Sequence, residues 1–312
     1  MKIICGTSNP ELCKEIVKFL KIKPADILIK TFADKEIYVR IKEDVRGKDV
    51  FIVQSTNSND NILELLIMID AAKRASASRI TAVIPYYGYA RQDRKAEPRE
   101  PITAKLIANL ITIAGANRVL TVDLHAPQIQ GFFDIPLDDV WAFPIFVKYF
   151  KKENLDNLVV VSPDAGGVKR ALHLTKRLDA DVAMIHKKRS EHNKIDEMTI
   201  VGDVENKNVI IYDDMIDTAG TICKAAEYIK ELGAKKVFLC ATHALFSGEA
   251  INKLKECKAD KVVVTNTLPS IKNEKIEVID LSYLIATAIR NIHENRSVST
   301  LDKQLLEQPN SE

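Results

Sequence analysis

Val209-Ile210-Ile211-Tyr212-Asp213-Asp214-Met215-Ile216-Asp217-Thr218-Ala219-Gly220-Thr221 is the stretch whose reading decides the fold. It opens on an apolar run of strand length, too short for a helix. Two adjacent carboxylates follow, then a turn of small residues that carries two hydroxyls. From Thr221 to Leu232 the period changes: Ile222, Ala225, Ala226, Ile229 and Leu232 share one helical face, and Gly233 supplies a C-terminal stop. Strand, turn and helix in this order make up most of a βα unit.

The same alternation extends outward. Leu158–Ser162 and Val182–Ile185 precede the stretch, and Val237–Ala241 and Val262–Thr265 follow it, each reading as a buried strand. The first half has its own series: Ile3–Cys5, Ile27–Lys30, Val50–Gln54, Ile80–Ile84 and Val119–Val122. Short apolar runs alternating with helical segments specify parallel strands covered by helices. The two series look like copies. Gly47-Lys48-Asp49-Val50-Phe51-Ile52-Val53 is similar to Glu205-Asn206-Lys207-Asn208-Val209-Ile210-Ile211. Arg79-Ile80-Thr81-Ala82-Val83 is likewise similar to Lys236-Val237-Phe238-Leu239-Cys240. The expectation is an α/β protein with mainly parallel sheets, in two domains related by internal duplication. The domains are placed at 1–145 and 146–290, with a polar tail over 291–312.

Composition agrees and excludes several classes. The 312 residues include 45 Lys+Arg against 43 Asp+Glu, a net charge of +2, whereas a dedicated nucleic-acid binder needs a clear basic excess. No apolar run approaches the ~18 residues of a membrane span. The N-terminus turns polar by Thr7, too early for a secretory signal. Cys5, Cys13, Cys223, Cys240 and Cys257 are odd in number and include no Cys-x-x-Cys pair. Reduced structural thiols and a cytoplasmic location are therefore expected.

In open parallel sheets, ligands bind beyond the carboxyl ends of the strands. Neither a Gly-x-x-x-x-Gly-Lys-Ser/Thr loop nor a Gly-x-Gly-x-x-Gly turn after a strand occurs here. Thr218 to Thr221 can instead aim backbone N–H groups and hydroxyls at one anion at a helix N-terminus. Asp213 and Asp214 would repel that anion, and suit sugar hydroxyls or hydrated Mg²⁺. A phosphate beside a diol is a ribose phosphate. The matching loop of the first copy, Ser55-Thr56-Asn57-Ser58-Asn59-Asp60, has neither the acidic pair nor the glycine, so that copy is expected to lack the function.

The stretch resembles the phosphoribosyl-diphosphate loop of phosphoribosyltransferases and ribose-phosphate diphosphokinases. Four further motifs resemble the second family. They are Phe32-Ala33-Asp34-Lys35-Glu36 and Tyr89-Ala90-Arg91-Gln92-Asp93-Arg94-Lys95 in the first third of the chain. Thr121-Val122-Asp123-Leu124-His125-Ala126-Pro127-Gln128-Ile129-Gln130-Gly131-Phe132-Phe133 and Ser162-Pro163-Asp164-Ala165-Gly166-Gly167 come later. The resemblance implies two phosphoribosyltransferase-like domains. It also implies Mg²⁺-dependent transfer of the β,γ-diphosphoryl group of ATP to O1 of ribose 5-phosphate, releasing AMP, for nucleotide biosynthesis.

The resemblance further implies residue roles. Asp213, Asp214, Asp217, Thr218, Ala219, Gly220 and Thr221 fall at ribose 5-phosphate positions. Lys187 and Arg189 match catalytic-loop cations that would meet charge gathering at the β-phosphorus, and the polar segment 190–197 suits a loop that closes over substrate. Arg91, Gln92 and Asp93 match an ATP-binding stretch; Phe32, Asp34 and Glu36 match residues that reach ATP from a neighbouring subunit. His125 and Asp164 match a metal site at the ATP phosphates, with water mediation open to His125, and Gly166 and Gly167 would admit the diphosphate to backbone amides. Arg46, Ser76, Ser297 and Ser299 fall at positions for inorganic phosphate and ADP as effectors in the phosphate-activated class. A homo-oligomer is implied, a hexamer built from dimers, with no nucleic-acid or membrane partner. The chain departs from the family at Ala219, where glycine is usual, and at Asp139, where a neutral amide is common.

Two rival readings remain to be weighed. A phosphoribosyltransferase would share the ribose-phosphate loop but would not need Phe32, Arg91–Arg94 and the Asp164 turn together. A catalytically silent, synthetase-like subunit should have lost the loop cations or the acidic pair, yet Lys187, Arg189, Asp213 and Asp214 are all present.

Overall fold

A computed structural model of the chain describes residues 1–188, 197–269, 271 and 273–307. The first half contains β1 (Lys2–Cys5), α1 (Pro10–Leu20), β2 (Ile27–Thr31), β3 (Ile37–Ile41), β4 (Asp49–Val53) and α2 (Asn59–Arg74). It continues through β5 (Arg79–Ile84), α3 (Thr103–Ala114), β6 (Arg118–Val122), a 3₁₀ turn (Pro127–Phe132) and β7 (Leu137–Val140). The second half begins with α4 (Phe143–Lys152), β8 (Leu158–Ser162), α5 (Val168–Leu178), β9 (Asp181–Lys188), β10 (Glu197–Val201) and β11 (Asn208–Ile216). Next come α6 (Gly220–Glu231), β12 (Lys236–Ala244), α7 (Ala250–Glu256) and β13 (Lys261–Thr265). β14 (Ile276–Ile279), α8 (Ser282–His293) and α9 (Leu301–Glu307) complete the series.

One sheet has the order β1-β4-β5-β6-β7 and is parallel throughout. The other has the order β10-β9-β8-β11-β12-β13-β14, parallel except at the β10–β9 edge. Strands β8, β11, β12, β13 and β14 therefore repeat the spatial order of β1, β4, β5, β6 and β7. The internal duplication read from the sequence is the plan of the fold. Ile27–Lys30 departs from the parallel pattern, because it pairs antiparallel with β3 in a separate hairpin.

Val209 to Tyr212 are fully buried, as a strand covered by helices on both faces requires. Val209 and Ile211 share a core cluster with Ile222, Ala225, Ala226 and Ile229, so the apolar face read for α6 is the face it buries. Each large aliphatic side chain so placed contributes about 1.5–3 kcal/mol. Burial of this face holds the start of α6 at the end of β11.

Chain order and packing part company at the ends of the copies. One compact unit comprises residues 1–141, 267–269 and those from Asp280 onward; the other comprises 142–266 and 270–279. α4 follows β7 in the chain but packs on α5, whereas α8 follows β14 but packs on α1. Tyr283 meets Phe19 edge-on, and an Arg290 N–H donates to the Phe19 carbonyl at 3.1 Å. Residues 280–290, expected in the 146–290 domain, thus belong with the first unit. So does the expected polar tail, where Leu301 and Leu305 of α9 are buried. The boundary falls at Trp141 rather than 145, because α4 begins the second unit's packing.

The expectation of uniformly reduced cysteines is corrected. Cys5 and Cys13 form a disulfide, with Cα atoms 5.9 Å apart. The turn from β1 into α1 reverses the chain and brings the strand's last residue to the helix. Cys223, Cys240 and Cys257 retain thiols. No helix among the described residues is long and apolar enough to cross a membrane.

Candidate active site

β11 has nine residues where its counterpart β4 has five. The extension carries Asp213 and Asp214 within the strand, with Asp213 opposite Ala241 of β12. The Asp214 side chain is 4% exposed and that of Asp213 28%. The Asp214 backbone N–H donates to Asp213 Oδ1 at 2.8 Å. From α5, the Arg170 guanidinium lies 3.3 Å from Asp214 Oδ1 and 3.8 Å from Asp213 Oδ1. Burial, then the adjacent Asp214 carboxylate, push the Asp213 carboxyl up, while Arg170 pulls it down. The two carboxyl groups, side by side at the Arg170 guanidinium, offer oxygens that a divalent cation or sugar hydroxyls could engage. No motif in the sequence singled out Arg170. Its position, three residues beyond Gly167 in the first turn of α5, is the only hint.

The turn into α6 is built differently from an ordinary helix start. Ala219 is the N-cap residue, with φ 61°, and no side chain caps the helix. The first N–H groups of α6 are therefore left for a ligand or water. Thr218 and Thr221 are exposed, and open space surrounds Gly220 where a Cβ would stand. The turn is tethered by its carbonyls: Ser247 N–H donates to Asp217 O at 3.0 Å, and Lys253 Nζ to Thr218 O at 3.4 Å.

The turn after β8 lies on the neighbouring strand of the same sheet. Ser162 Oγ donates to the Asp164 carbonyl at 2.6 Å, and the Gly167 N–H donates to Asp164 Oδ1 at 2.9 Å. A Cβ on Gly167 would approach Ser162 Oγ to 2.7 Å, so this turn needs glycine there. Asp164, Ala165 and Gly166 face solvent. Lys187 stands near the end of β9, paired with Met198 of β10. Arg189 and the segment 190–196 lie outside the described residues.

In the first unit, Arg91, Gln92 and Asp93 follow β5, and His125 follows the adjacent β6. Gln128 Nε2 donates to Asp93 Oδ2 at 2.6 Å, which ties the two loops, and Thr103 Oγ1 donates to Gln92 Oε1 at 2.6 Å. Arg91 and His125 are exposed. Asp139 Oδ1 accepts the Thr121 hydroxyl at 2.8 Å and the Leu124 N–H at 3.2 Å. This carboxylate braces the turn that holds Asp123 at φ 44° and leads into His125. Phe32, Asp34 and Glu36 lie together at the tip of the β2–β3 hairpin. The Phe32 ring is 43% exposed beneath Lys30 Nζ at 4.6 Å, and Glu36 N–H donates to Asp34 Oδ1 at 3.1 Å.

Arg46, Ser76, Ser297 and Ser299 also belong to the first unit. Arg46 donates to Ser76 Oγ at 3.2 Å, and the Ser297 and Ser299 hydroxyls are 2.7 Å apart. The first pair precedes β4 and β5, at the amino ends of the strands and away from the loops at their carboxyl ends. Asp49 bonds Arg79 and His293 in the same region, the latter at 2.8 Å.

A duplicated parallel sheet whose second copy ends in an acidic pair and an uncapped helix start defines a phosphoribosyltransferase-like α/β protein. Residues 1–115 match the family model for the N-terminal domain of ribose phosphate pyrophosphokinase, and residues 192–303 that of the phosphoribosyl synthetase-associated domain. Ribose-phosphate pyrophosphokinase of Caldanaerobacter subterraneus subsp. tengcongensis is 54% identical over 307 residues, covering 96% of this chain and 97% of the relative. The Thermotoga maritima protein of the same name is 51% identical over 307 residues, covering 96% and 98%. The crystal structure of phosphoribosylpyrophosphate synthetase from Mycobacterium smegmatis matches with a TM-score of 0.89 at 43% identity, over 94% of this chain and 99% of that one. The chain belongs to the ribose-phosphate pyrophosphokinase family: it is a transferase of nucleotide biosynthesis that forms phosphoribosyl diphosphate.

Proposed function

We propose that the enzyme uses ATP and Mg²⁺ to transfer a diphosphoryl group to O1 of ribose 5-phosphate, releasing AMP, in the cytoplasm. The observation that carries this reading is the pairing of the uncapped α6 start with the Asp213 and Asp214 carboxylates near the end of β11. The N–H groups of Gly220 and Thr221, with the Thr218 and Thr221 hydroxyls, bind the 5-phosphate. Ala219 sets the turn. Asp213 and Asp214 orient the ribose hydroxyls, and Asp217 completes the loop. The O1 hydroxyl attacks the β-phosphorus and loses its proton to solvent, the bond from that phosphorus to the α-phosphate oxygen breaks, and AMP departs. Lys187 and Arg189 meet the charge that spreads over the transferred oxygens.

Arg91, Gln92 and Asp93 bind ATP, joined by Phe32, Asp34 and Glu36 of a neighbouring copy. The exposed hairpin tip supports that assignment. Mg²⁺ favours one or two carboxylates with substrate phosphates and water over an all-protein cage. The donors here fit: Asp164 is exposed, with the Gly167 N–H on its Oδ1 at 2.9 Å. Asp164 would hold the ion, with His125 in contact through water, and bound Mg²⁺ would neutralise phosphate charge. Arg46, Ser76, Ser297 and Ser299 take inorganic phosphate or ADP as effector. The enzyme is a homo-oligomer, a hexamer built from dimers; the exposed apolar residues Ile102, at the N-cap of α3, and Leu106, Leu110 and Ile113 along it support self-association.

The test is AMP formation from ATP, Mg²⁺ and ribose 5-phosphate, with and without inorganic phosphate. AMP should appear only with ribose 5-phosphate, and none from folded protein would overturn the reading. Lys187→Ala should lower kcat far more than ribose 5-phosphate binding. Equal losses would make Lys187 a binding residue.

A further inference from the structure

Neighbouring residues of a strand send their side chains to opposite faces. Asp213 and Asp214 both lie in β11, yet one guanidinium nitrogen meets both. Arg170 Nη1 donates to Asp214 Oδ1 at 3.3 Å and lies 3.8 Å from Asp213 Oδ1. Asp213 Oδ1 also accepts the Asp214 N–H at 2.8 Å, which turns that carboxyl along the strand toward its neighbour. The fold holds Arg170 where it can do this. At the start of α5, the Gly167 N–H donates to Asp164 Oδ1 at 2.9 Å and the Ala171 N–H to Gly167 O at 3.0 Å. Ala171 and Leu174 are fully buried, so the helix cannot slide along the sheet. β8, which α5 follows, is the parallel neighbour of β11, and the Arg170 side chain spans that step with only 20% of its surface exposed. A planar guanidinium so enclosed supplies direction as well as charge.

We propose that Arg170 is a positioning residue that sets the sugar specificity of the site. By gathering the Asp213 and Asp214 carboxyls, it lets them receive the 2- and 3-hydroxyls of ribose together and reject pentose 5-phosphates that lack one. The inference rests on the function proposed above, in which this pair orients the ribose. A hydroxyl donates well to a carboxyl oxygen only over a limited range of directions, and a carboxyl that turns freely offers many. With one oxygen of each group held at Nη1, both carboxyls are oriented before the sugar arrives. An acceptor without the hydroxyl then strips water from a fixed carboxyl and returns no donor, so it is penalised. Without the guanidinium the carboxyls turn toward water, the penalty falls, and the two kinds of acceptor become more alike. The 5-phosphate, held at the α6 start, is common to both and adds nothing to the difference.

The test compares kcat/KM for ribose 5-phosphate with that for 2-deoxyribose 5-phosphate, both read as AMP formed by the full-length protein. The wild-type ratio should be about a hundredfold or more, and Arg170→Gln should lower it about tenfold or more. Arg170→Lys keeps the charge but loses the planar fork, so its ratio should fall between the two. Thr218→Ala touches only the phosphate shared by both acceptors; it should lower both values and leave the ratio standing. That split separates positioning from general damage. If Arg170→Gln lost both acceptors alike, Arg170 would only support the fold and the inference would be overturned. If circular dichroism shows Arg170→Gln unfolded, Arg170→Lys decides, and an unchanged ratio there overturns the inference. A wild-type ratio near one would instead overturn the reading of the acidic pair as the holder of the ribose hydroxyls, and this inference with it. A high wild-type ratio kept in both Arg170 variants overturns the role of Arg170 alone.

Discussion

In the first unit, α2 opens with Ser58, whose side chain accepts the Asn61 N–H at 3.1 Å, and Asn61 in turn donates to Asn57 at 2.9 Å. In the second, α6 opens with Ala219 and no side-chain cap. The preceding strand stops at Val53 in one copy and runs on through Asp213 and Asp214 to Ile216 in the other. N–H and hydroxyl groups of the first copy's loop are engaged too: Thr56 N–H donates to Tyr86 O at 2.9 Å and Ser55 Oγ to Thr267 O at 2.9 Å. The same strand-turn-helix plan has thus been closed upon itself in one copy and left open to an anion in the other. A capped start stabilises the helix by about 1 kcal/mol, whereas an uncapped one keeps its positive end for a ligand.

The largest expected effect lies in the acidic pair. Asp214→Asn should lower kcat/KM for ribose 5-phosphate at least about a hundredfold, or about 2.7 kcal/mol of transition-state stabilisation. Asp60→Asn, in the first turn of α2, should change it less than about twofold, in the range of surface substitutions away from a site. Steady-state AMP formation reads both, and equal losses would break the contrast between the copies.

Setting a carboxylate one residue ahead of the N-cap Ala219 is the next test. Thr218→Asp places a carboxylate ahead of the helix, where it competes with the phosphate for the same N–H groups. The ribose 5-phosphate KM should rise about tenfold or more while stability to denaturant rises by about 0.5–1 kcal/mol. A higher KM without added stability would mean that the carboxylate repels phosphate but does not occupy the helix start. Ser58→Ala, the reverse change in the first copy, should cost about 1 kcal/mol and leave KM unmoved.

The exchanged helices extend the comparison to pH. α8 docks on the first unit partly through Asp49. Burial raises this carboxyl, but hydrogen bonds from Arg79 and His293 outweigh it and hold the group below its ordinary value. A carboxyl lowered on folding contributes stability that is complete above its unfolded value of about 3.9 and is lost as pH falls through the lower folded value. Asp49→Asn should cost about 1.5–3 kcal/mol at neutral pH and flatten the acid limb of a stability profile. On the α4 side, Glu153 meets Lys261 at 3.6 Å with both side chains about one-third exposed, so Glu153→Gln should cost less than about 1 kcal/mol. Denaturant midpoints measured across acid pH test both substitutions.

The sequence made the strands of the central stretch and the buried face of α6 legible, because both follow from local period. It also marked Asp213, Asp214 and the turn to Thr221, since their chemistry is written in consecutive residues. β7 reads Leu-Asp-Asp-Val and becomes a strand only by pairing with β6, so no local pattern announces it. The exchange of α4 and α8 is equally silent: an amphipathic helix specifies that one face is buried, not which neighbour covers it. Arg170 meets the acidic pair only across the α5 and β11 packing, and the Cys5–Cys13 bond depends on a chain reversal. Long-range pairing is what these features share.

The smallest expected effect isolates the backbone of the open turn. Ala219 has φ 61° and ψ −9°, in a region where an L-residue pays about 1–2 kcal/mol and glycine does not. Ala219→Gly removes that strain but frees the unfolded chain, an entropic loss of about 0.5–1 kcal/mol for the folded state. The net should be a gain below about 1 kcal/mol, seen as a higher denaturant midpoint with an unchanged slope. KM for ribose 5-phosphate should move less than about threefold, because the N–H directions are set by burial of Ile222 and by the Lys253 tether rather than by the methyl group. Ala219→Val separates strain from flexibility. A β-branched residue fits this region worst, so it should lose stability where glycine gains it. If both substitutions lowered the midpoint alike, the buried methyl group rather than the backbone angle would be what the turn requires.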